Sequence, residues 1–328
     1  MDKPYTFKDR SEVMSLEGVQ DSPGVGPKNF SALLGDYHFP DDTLPLKCCC
    51  FKPGGRLCGQ DHRNGYVVEL TDGRKSLLGS TCVNEFGDGG NLSRLISQHN
   101  NQKRYEERIT FVNNCYYSKE LMAGRLSTAL SEMKEVVEYF RGFKRSVPES
   151  VMRKLEGMAR QGSGKVLVEL ISFKESVDER TGEVEREPYV TPHTVGQLPG
   201  LKFFHSGFWQ SLMGKLEDML HLVKSLEYME RGKTGYKKVA TLYKKLEEES
   251  ALLSEVSSYV GEKHLFEKSE KKPLCFLVPK QEERVKMVRM WWMESQGEPL
   301  STAAAKQKLR ELDDDLKASF GAEELRIP

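Results

Sequence analysis

Residues 47–86 read KCCCFKPGGRLCGQDHRNGYVVELTDGRKSLLGSTCVNEF, and the architecture of the amino-terminal part follows from them. Five of the chain's seven cysteines fall here, at Cys48, Cys49, Cys50, Cys58 and Cys82, with His62 among them. Cys115 and Cys275 stand alone. An odd, tightly clustered set points to metal ligation, because a disulfide framework pairs its cysteines and spreads them. A structural zinc site asks for four soft or borderline donors in a tetrahedron, two of them brought together by a tight turn. Cys58 and His62 have that spacing, with Gly59 to make the turn. The runs YVVEL and KSLLG, joined through Asp72-Gly73, predict a β-hairpin, after which Gly79-Ser80-Thr81-Cys82 leads into a helix start where amide dipoles favour a thiolate. The expected ligands of one structural Zn2+ are therefore Cys50, Cys58, His62 and Cys82. Cys48 or Cys49 is the alternative to Cys50, since in an extended segment 48 and 50 share a face that 49 opposes.

The order of knuckle, hairpin and helix over about 48–86 resembles a treble-clef zinc finger. That resemblance implies a compact α+β module in which the ion organises the fold. The hydrolytic-deaminase arrangement, H-x-E followed by P-C-x-x-C, is absent, and four protein donors make a closed site instead of a catalytic one.

Upstream, Pro23-Gly24-Val25-Gly26-Pro27-Lys28 precedes the apolar stretch NFSALLGDYHF and follows RSEVMSLEGVQ, in which Leu16 and Val19 can form a helix face. Residues 13–34 thus resemble the helix-hairpin-helix motif of DNA-binding proteins. The resemblance implies that Gly24 and Gly26 let backbone N–H groups approach a phosphate and that Lys28 adds a charge contact, giving binding without sequence preference.

Downstream, the apolar pattern changes to a helical period. Met122, Leu126, Ala129, Leu130, Met133, Val136, Val137 and Phe140 recur at three- and four-residue steps, and Pro148 breaks the helix before another begins. KVLVELISF, a polar turn DERTGEVERE and PYVTPHTVGQLPGLKFF predict a β-hairpin and irregular insert over 163–204. Two long stripes follow: Phe208 to Met229, and Tyr236 to Val260. They suit an antiparallel, coiled-coil-like helical hairpin over 205–261. A Lys/Glu-rich linker at 262–272, an edge strand LCFLV and a final helix capped by Ser301 complete the chain. The expected division is 1–46 helix-hairpin-helix, 47–91 zinc module, 92–162 helical, 163–204 insert, 205–261 helical hairpin and 262–328 carboxy-terminal segment. The fold class is mainly α, with a small α+β zinc module and an elongated helical body.

Composition agrees with this picture and limits function. Of 328 residues 30% are charged and 38% hydrophobic, and the mean hydropathy of −0.56 favours helices with wide solvated faces. Forty-nine basic and forty-nine acidic side chains cancel, so affinity for an anionic partner must come from local patches. One such patch runs through Lys224, Arg231, Lys233, Lys237, Lys238, Lys244 and Lys245, interleaved with Tyr236 and Tyr243. The amino-terminal MDKPYTFKDR lacks a signal-peptide pattern and no apolar run is long enough to span a bilayer, so a cytoplasmic protein without a membrane partner is expected. Gly162-Ser163-Gly164-Lys165 fails as a phosphate loop, because Ala159 stands where the first glycine belongs and Val166 follows the lysine. No catalytic constellation or small-molecule substrate is evident. The expectation is a zinc-containing, nucleic-acid-binding accessory or sensor protein. A protein-interaction scaffold, pairing with another chain through the long helices, is the alternative, and an enzyme with an unrecognised site is the third reading.

Overall fold

In the computed structural model, which describes residues 4–19, 21, 23–87, 90–177 and 184–328, the chain is mainly α with small sheets. It divides into two compact units, one formed by 1–111 with 229–240, the other by 112–228 with 241–328.

The first unit is built on a sheet. Its elements are β1 (Tyr5–Phe7), α1 (Arg10–Met14), β2 (Phe30–His38), β3 (Leu46–Lys47), β4 (Asp61–His62), β5 (Asn64–Leu70), β6 (Lys75–Gly79) and the start of α2 (Asn91–Tyr117). The sheet order is β1-β2-β5-β6, with β1 parallel to β2 and the other pairs antiparallel. Asp72 and Gly73 form the β5–β6 turn, Gly73 at φ +85° and the Arg74 amide donating to Asp72 Oδ1 at 3.0 Å. Two apolar clusters result. One gathers Leu33, Val68, Leu78, Cys48, Cys50, Cys82, Phe86 and Leu92, the other Phe7, Val13, Tyr37, Phe39, Cys49 and Val67. Cys48 and Cys50 thus share one cluster while Cys49 joins the other, as alternation along an extended segment requires.

β2 replaces the second helix of the expected helix-hairpin-helix. Leu33, Gly35 and Tyr37 are buried at period two, and pairing with both β1 and β5 overrides the local apolar run. The first helix ends at Met14, and Gln20 and Ser22 lie outside the described residues. The Pro-Gly-Val-Gly loop is instead a strap on the cysteine segment. The Val25 amide donates to the Cys49 carbonyl and the Phe51 amide to the Val25 carbonyl, each at 2.8 Å, while the Gly26 amide donates to Asn29 Oδ1 at 2.8 Å. The glycines make room for an aromatic ring: a Cβ on Gly24 would lie 2.2 Å from Phe51 Cζ.

The second unit is helical. α3 (Lys119–Ser146) is its central element, and every apolar position in the predicted stripe from Met122 to Phe140 is buried. Val147 is extended before Pro148, α4 (Glu149–Gln161) follows, and Gly162 closes it at φ +66° with its amide on the Ala159 carbonyl. Gly162 is therefore a helix cap, and Lys165 begins β7 (Lys165–Val177), which pairs with β8 (Val184–Gln197) along its length. The predicted polar turn falls largely at 178–183, outside the described residues. Pro188 and Pro192 sit in β8, an edge strand of the sheet, where proline is tolerated.

α5 (Ser206–Lys224), α6 (Tyr236–Glu247) and α7 (Glu249–Lys268) carry the two long stripes. The expected two-helix hairpin is not the arrangement formed, because α5 and α7 each pack chiefly against α3, which offers a wider apolar face than either gives the other. Phe140, Phe143, Phe203, Phe204, Trp209 and Phe266 meet edge-to-face there, with ring centroids 4.9–6.1 Å apart in the T-shaped pairs. The stretch expected as a linker at 262–272 is helical through Lys268. The expected strand LCFLV begins in a 3-10 turn, Lys272–Phe276, with 274–278 all buried. A short, uninterrupted apolar run fits either conformation, and burial from all sides favours the turn. α8 (Gln281–Gln296), α9 (Thr302–Phe320) and β9 (Glu324–Arg326) follow. Ser301 Oγ caps α9 by accepting from the Ala304 amide, and β9 adds to the free side of β7.

Candidate metal centre

β3 and β4 pair Leu46 with His62 and Lys47 with Asp61. Beyond them the two segments keep running side by side. The Cys48 amide donates to the Gln60 carbonyl (2.9 Å), Gly59 to Cys48 (2.9 Å) and Cys58 to Cys50 (2.8 Å). Gly59, at φ +65°, takes the left-handed conformation that turns Cys58 toward Cys48. The β5–β6 hairpin then returns the chain to the same place, and the 3-10 turn Ser80–Glu85 presents Cys82.

The result is a cluster of three sulfurs, Cys48, Cys58 and Cys82, whose Sγ atoms all lie within 4.8 Å of one another. Cys58 and Cys82 are 3.5 Å apart, too far for a disulfide, where the sulfurs are about 2.05 Å apart. Thiolates on a tetrahedral ion with bonds of about 2.3 Å stand roughly 3.8 Å apart, so this spacing fits a shared cation. Cys48 and Cys82 are buried and Cys58 is half-buried. Among the described residues these three, and neither Cys50 nor His62, meet that mutual spacing. The expected set is thus brought together at Cys58 and Cys82, and Cys48 takes the position assigned first to Cys50.

Cys50 stays close, in the same apolar cluster, and Cys82 and Cys58 act on its charge. Cys49 points away, toward the Lys47 carbonyl at 3.5 Å. His62 lies beside the cluster. A Cβ placed on Gly79 would sit 3.1 Å from His62 Cδ2 and 3.6 Å from Cys48 Sγ, so ring and sulfur approach the same small residue. Tyr37 Oη is 3.2 Å from His62 Nδ1, while His62 Nε2 is buried and has no hydrogen-bond partner among the described residues. Tyr37 and the Gly79 amide, which donates to Cys48 Sγ at 3.3 Å, were not marked by any motif. They lie 25 and 31 residues from the groups they touch.

Burial dominates the electrostatics of the cluster. Burial pushes the Cys48 thiol up to about 12, with Cys82 adding to the rise and the Gly79 amide opposing it. Burial and Cys82 push Cys50 up to about 11. Burial lowers the His62 imidazole, which favours the neutral ligand form. A divalent cation among these groups inverts the thiol balance, because it pairs with thiolates that burial alone disfavours.

The expected phosphate contacts are distributed differently. The amides of Val25 and Gly26 are spent inside the module, so Gly24 and Gly26 do not form the expected cradle; Lys28 is exposed. The segment 229–240 belongs to the same unit as α2's first part. Tyr105 Oη donates to the Thr234 carbonyl (2.8 Å), Arg108 donates to Tyr236 Oη (2.8 Å) with its guanidinium 5.7 Å from that ring's centroid, and Arg231 donates to Thr110 Oγ1 (3.2 Å). Lys237 and Lys238 are exposed in the first turn of α6, and Lys233 pairs with Glu230. Arg108 gave no local signal, being 128 residues from Tyr236.

Compared with models of known protein families, with curated proteins and with solved structures, the chain shows no significant match. Among the described residues no helix is long and apolar enough to cross a membrane.

Proposed function

We propose that this chain is a nucleic-acid-binding accessory protein whose amino-terminal unit is organised by one structural zinc ion. Cys48, Cys58 and Cys82 supply three ligands, and His62 Nε2, drawn in from beside Cys48, supplies the fourth. The partnerless Nε2 supports that assignment, since a buried ring nitrogen is otherwise paired and a ligating histidine gives its other nitrogen to a neighbour such as Tyr37. Knuckle, hairpin and helical turn in that order are what a treble-clef-like module needs, although here the turn after Cys82 is 3-10.

The observation that carries the nucleic-acid reading is the segment 229–240 with its neighbours on α2. Within 229–240 four cations, Arg231, Lys233, Lys237 and Lys238, stand against one carboxylate, Glu230, which pairs with Lys233; on α2, which also carries Glu106 and Glu107, Arg108 lies over Tyr236. A basic, aromatic surface of this kind suits a phosphate backbone and confers little sequence preference. Fluorescence anisotropy with a labelled oligonucleotide tests it. Affinity should fall with salt, and Lys237→Glu with Lys238→Glu should weaken binding and reduce the magnitude of the log–log salt slope by roughly 1 per lost contact. No binding at low salt rejects the reading.

A second reading, an interaction scaffold, draws on a groove of about 430 Å³ between α3 and α7, lined in part by Leu121, Ala129, Leu253 and Val256, with Leu121 65% exposed. A co-purifying protein partner released by Leu121→Glu would favour it over the first.

A further inference from the structure

In the second unit the end of α3, the Val147–Pro148 link, one face of α8 and the following Pro299–Leu300 segment line an open groove of about 520 Å³. That volume is within the range of small-ligand sites. Three cations, Arg145, Lys286 and Arg289, line it, and no carboxylate does. Of the carboxylates next in sequence to lining residues, Glu149 pairs with Arg153, Glu294 interacts with the Lys271 charge and Glu298 adjoins Pro299, while Glu283, three residues from Lys286, accepts from Ser150 Oγ at 2.7 Å. Among the described residues Arg145 and Lys286 have no ion-pair partner. Arg289 is fixed by donation from Nε to the Leu300 carbonyl at 3.1 Å. Like charges set around one opening repel one another, and a multiply charged anion relieves the repulsion.

The rest of the wall determines what such an anion carries. Val147, Met290, Met293 and Leu300 give it an apolar character, with methionines that adapt to irregular shapes. The only hydroxyl, on Ser146, donates to the Phe143 carbonyl at 2.8 Å. No amide, carboxylate or aromatic side chain lines the groove to read sugar hydroxyls or to stack on a base.

We propose that this groove binds a small organic phosphate with an apolar body, an alkyl or aryl phosphate monoester. The phosphate, a dianion near neutral pH, is held by the guanidinium and ammonium groups, whose donors match its oxygens. The carbon skeleton lies on the methionine and leucine wall. This site is independent of the zinc centre and of the basic segment around Tyr236.

Isothermal titration of the full chain with hexyl phosphate, inorganic phosphate and hexanol tests the assignment. Hexyl phosphate should bind one-to-one and at least about tenfold more tightly than inorganic phosphate, the effect of burying two of its methylenes. Hexanol should show no saturable binding. Arg145→Glu with Lys286→Glu should weaken hexyl phosphate roughly a hundredfold through loss of two charge-assisted contacts, with an unchanged melting curve because both side chains are exposed. Met293→Glu, also at an exposed position, should weaken it while leaving the weak inorganic phosphate signal in place. Equal affinity for hexyl and inorganic phosphate, or indifference to the charge reversals, overturns the proposal. It is equally overturned if only vesicles containing phosphatidic acid bind, which makes the groove a membrane contact, or if only an oligonucleotide binds, which makes it a backbone track. Loss of oligonucleotide binding in the Lys237 and Lys238 variant, with hexyl phosphate affinity retained, separates failure of the earlier reading from failure of this one.

Discussion

Asp36 lies next in sequence to Tyr37, the partner of His62, and ties the sheet to α2. Its carboxylate accepts from Thr6 Oγ1 (2.6 Å), His99 Nε2 (2.8 Å) and Lys103 Nζ (3.0 Å). Burial alone would raise this carboxyl, but the bonds from His99, Thr6 and Lys103, with the Lys103 charge, outweigh it and hold the group well below its ordinary value of 3.8. A carboxyl depressed by folding stabilises the native state above its unfolded value, and the contribution fades as pH falls toward the folded value. The first unit should therefore lose stability as pH drops below about 4. Asp36→Asn should lower stability near pH 7 and flatten that acid dependence; urea titrations at pH 7 and pH 3 check both, and an unchanged pH slope contradicts the assignment. In the second unit, Arg284 is 8% exposed at its side chain, donates to the Cys275 carbonyl at 2.8 Å and forms a bidentate pair with Asp313. Asp313→Ala leaves that guanidinium buried without its anion and should cost about 3–5 kcal/mol in chemical denaturation.

At the scale of elements, legibility in the sequence followed length. The stripe on α3 recurs over five turns, so its period could be counted, and its partners are helices whatever their order. NFSALLGDYHF is too short to separate periods of two and 3.6, and its strand pairing depends on β1 and β5, which are distant in sequence. LCFLV failed for the same reason. Gly35 carries the missing information: a Cβ there would lie 1.9 Å from the Tyr5 carbonyl oxygen, so close parallel pairing of β1 with β2 needs a residue without a side chain. Gly35→Ala should cost roughly 1–3 kcal/mol by forcing backbone apart and should release the amides of Tyr5–Phe7 to hydrogen exchange. Gly124→Ala is the control, since the Cβ would meet nothing within 4 Å inside α3, and it should be neutral or stabilising by about 0.5–1 kcal/mol. If both substitutions behave alike, close strand approach is not what Gly35 provides.

For the molecule as a whole, a cysteine cluster that could hold a metal ion was legible in outline because five cysteines and a histidine crowd into 35 residues. Which cysteines converge was less so: three adjacent cysteines present both faces, and bringing Cys48 instead of Cys50 to Cys58 and Cys82 needs the register set by the Gln60 and Gly59 backbone bonds. The supporting contacts from Tyr37 and Gly79 come from separate strands and leave no local mark. Division into two units has a consequence for stability. An ion binding only the folded form stabilises by mass action, so its removal should lower the melting transition of the first unit and spare the helical one. The most direct measurement is metal content of the purified full chain by mass spectrometry, alongside Cys48→Ser, Cys58→Ser, Cys82→Ser and Cys50→Ser variants. The account predicts one equivalent of zinc, retained by the Cys50 variant and lost from the other three; a chain free of metal, or one in which Cys48→Ser still holds a full equivalent, contradicts it.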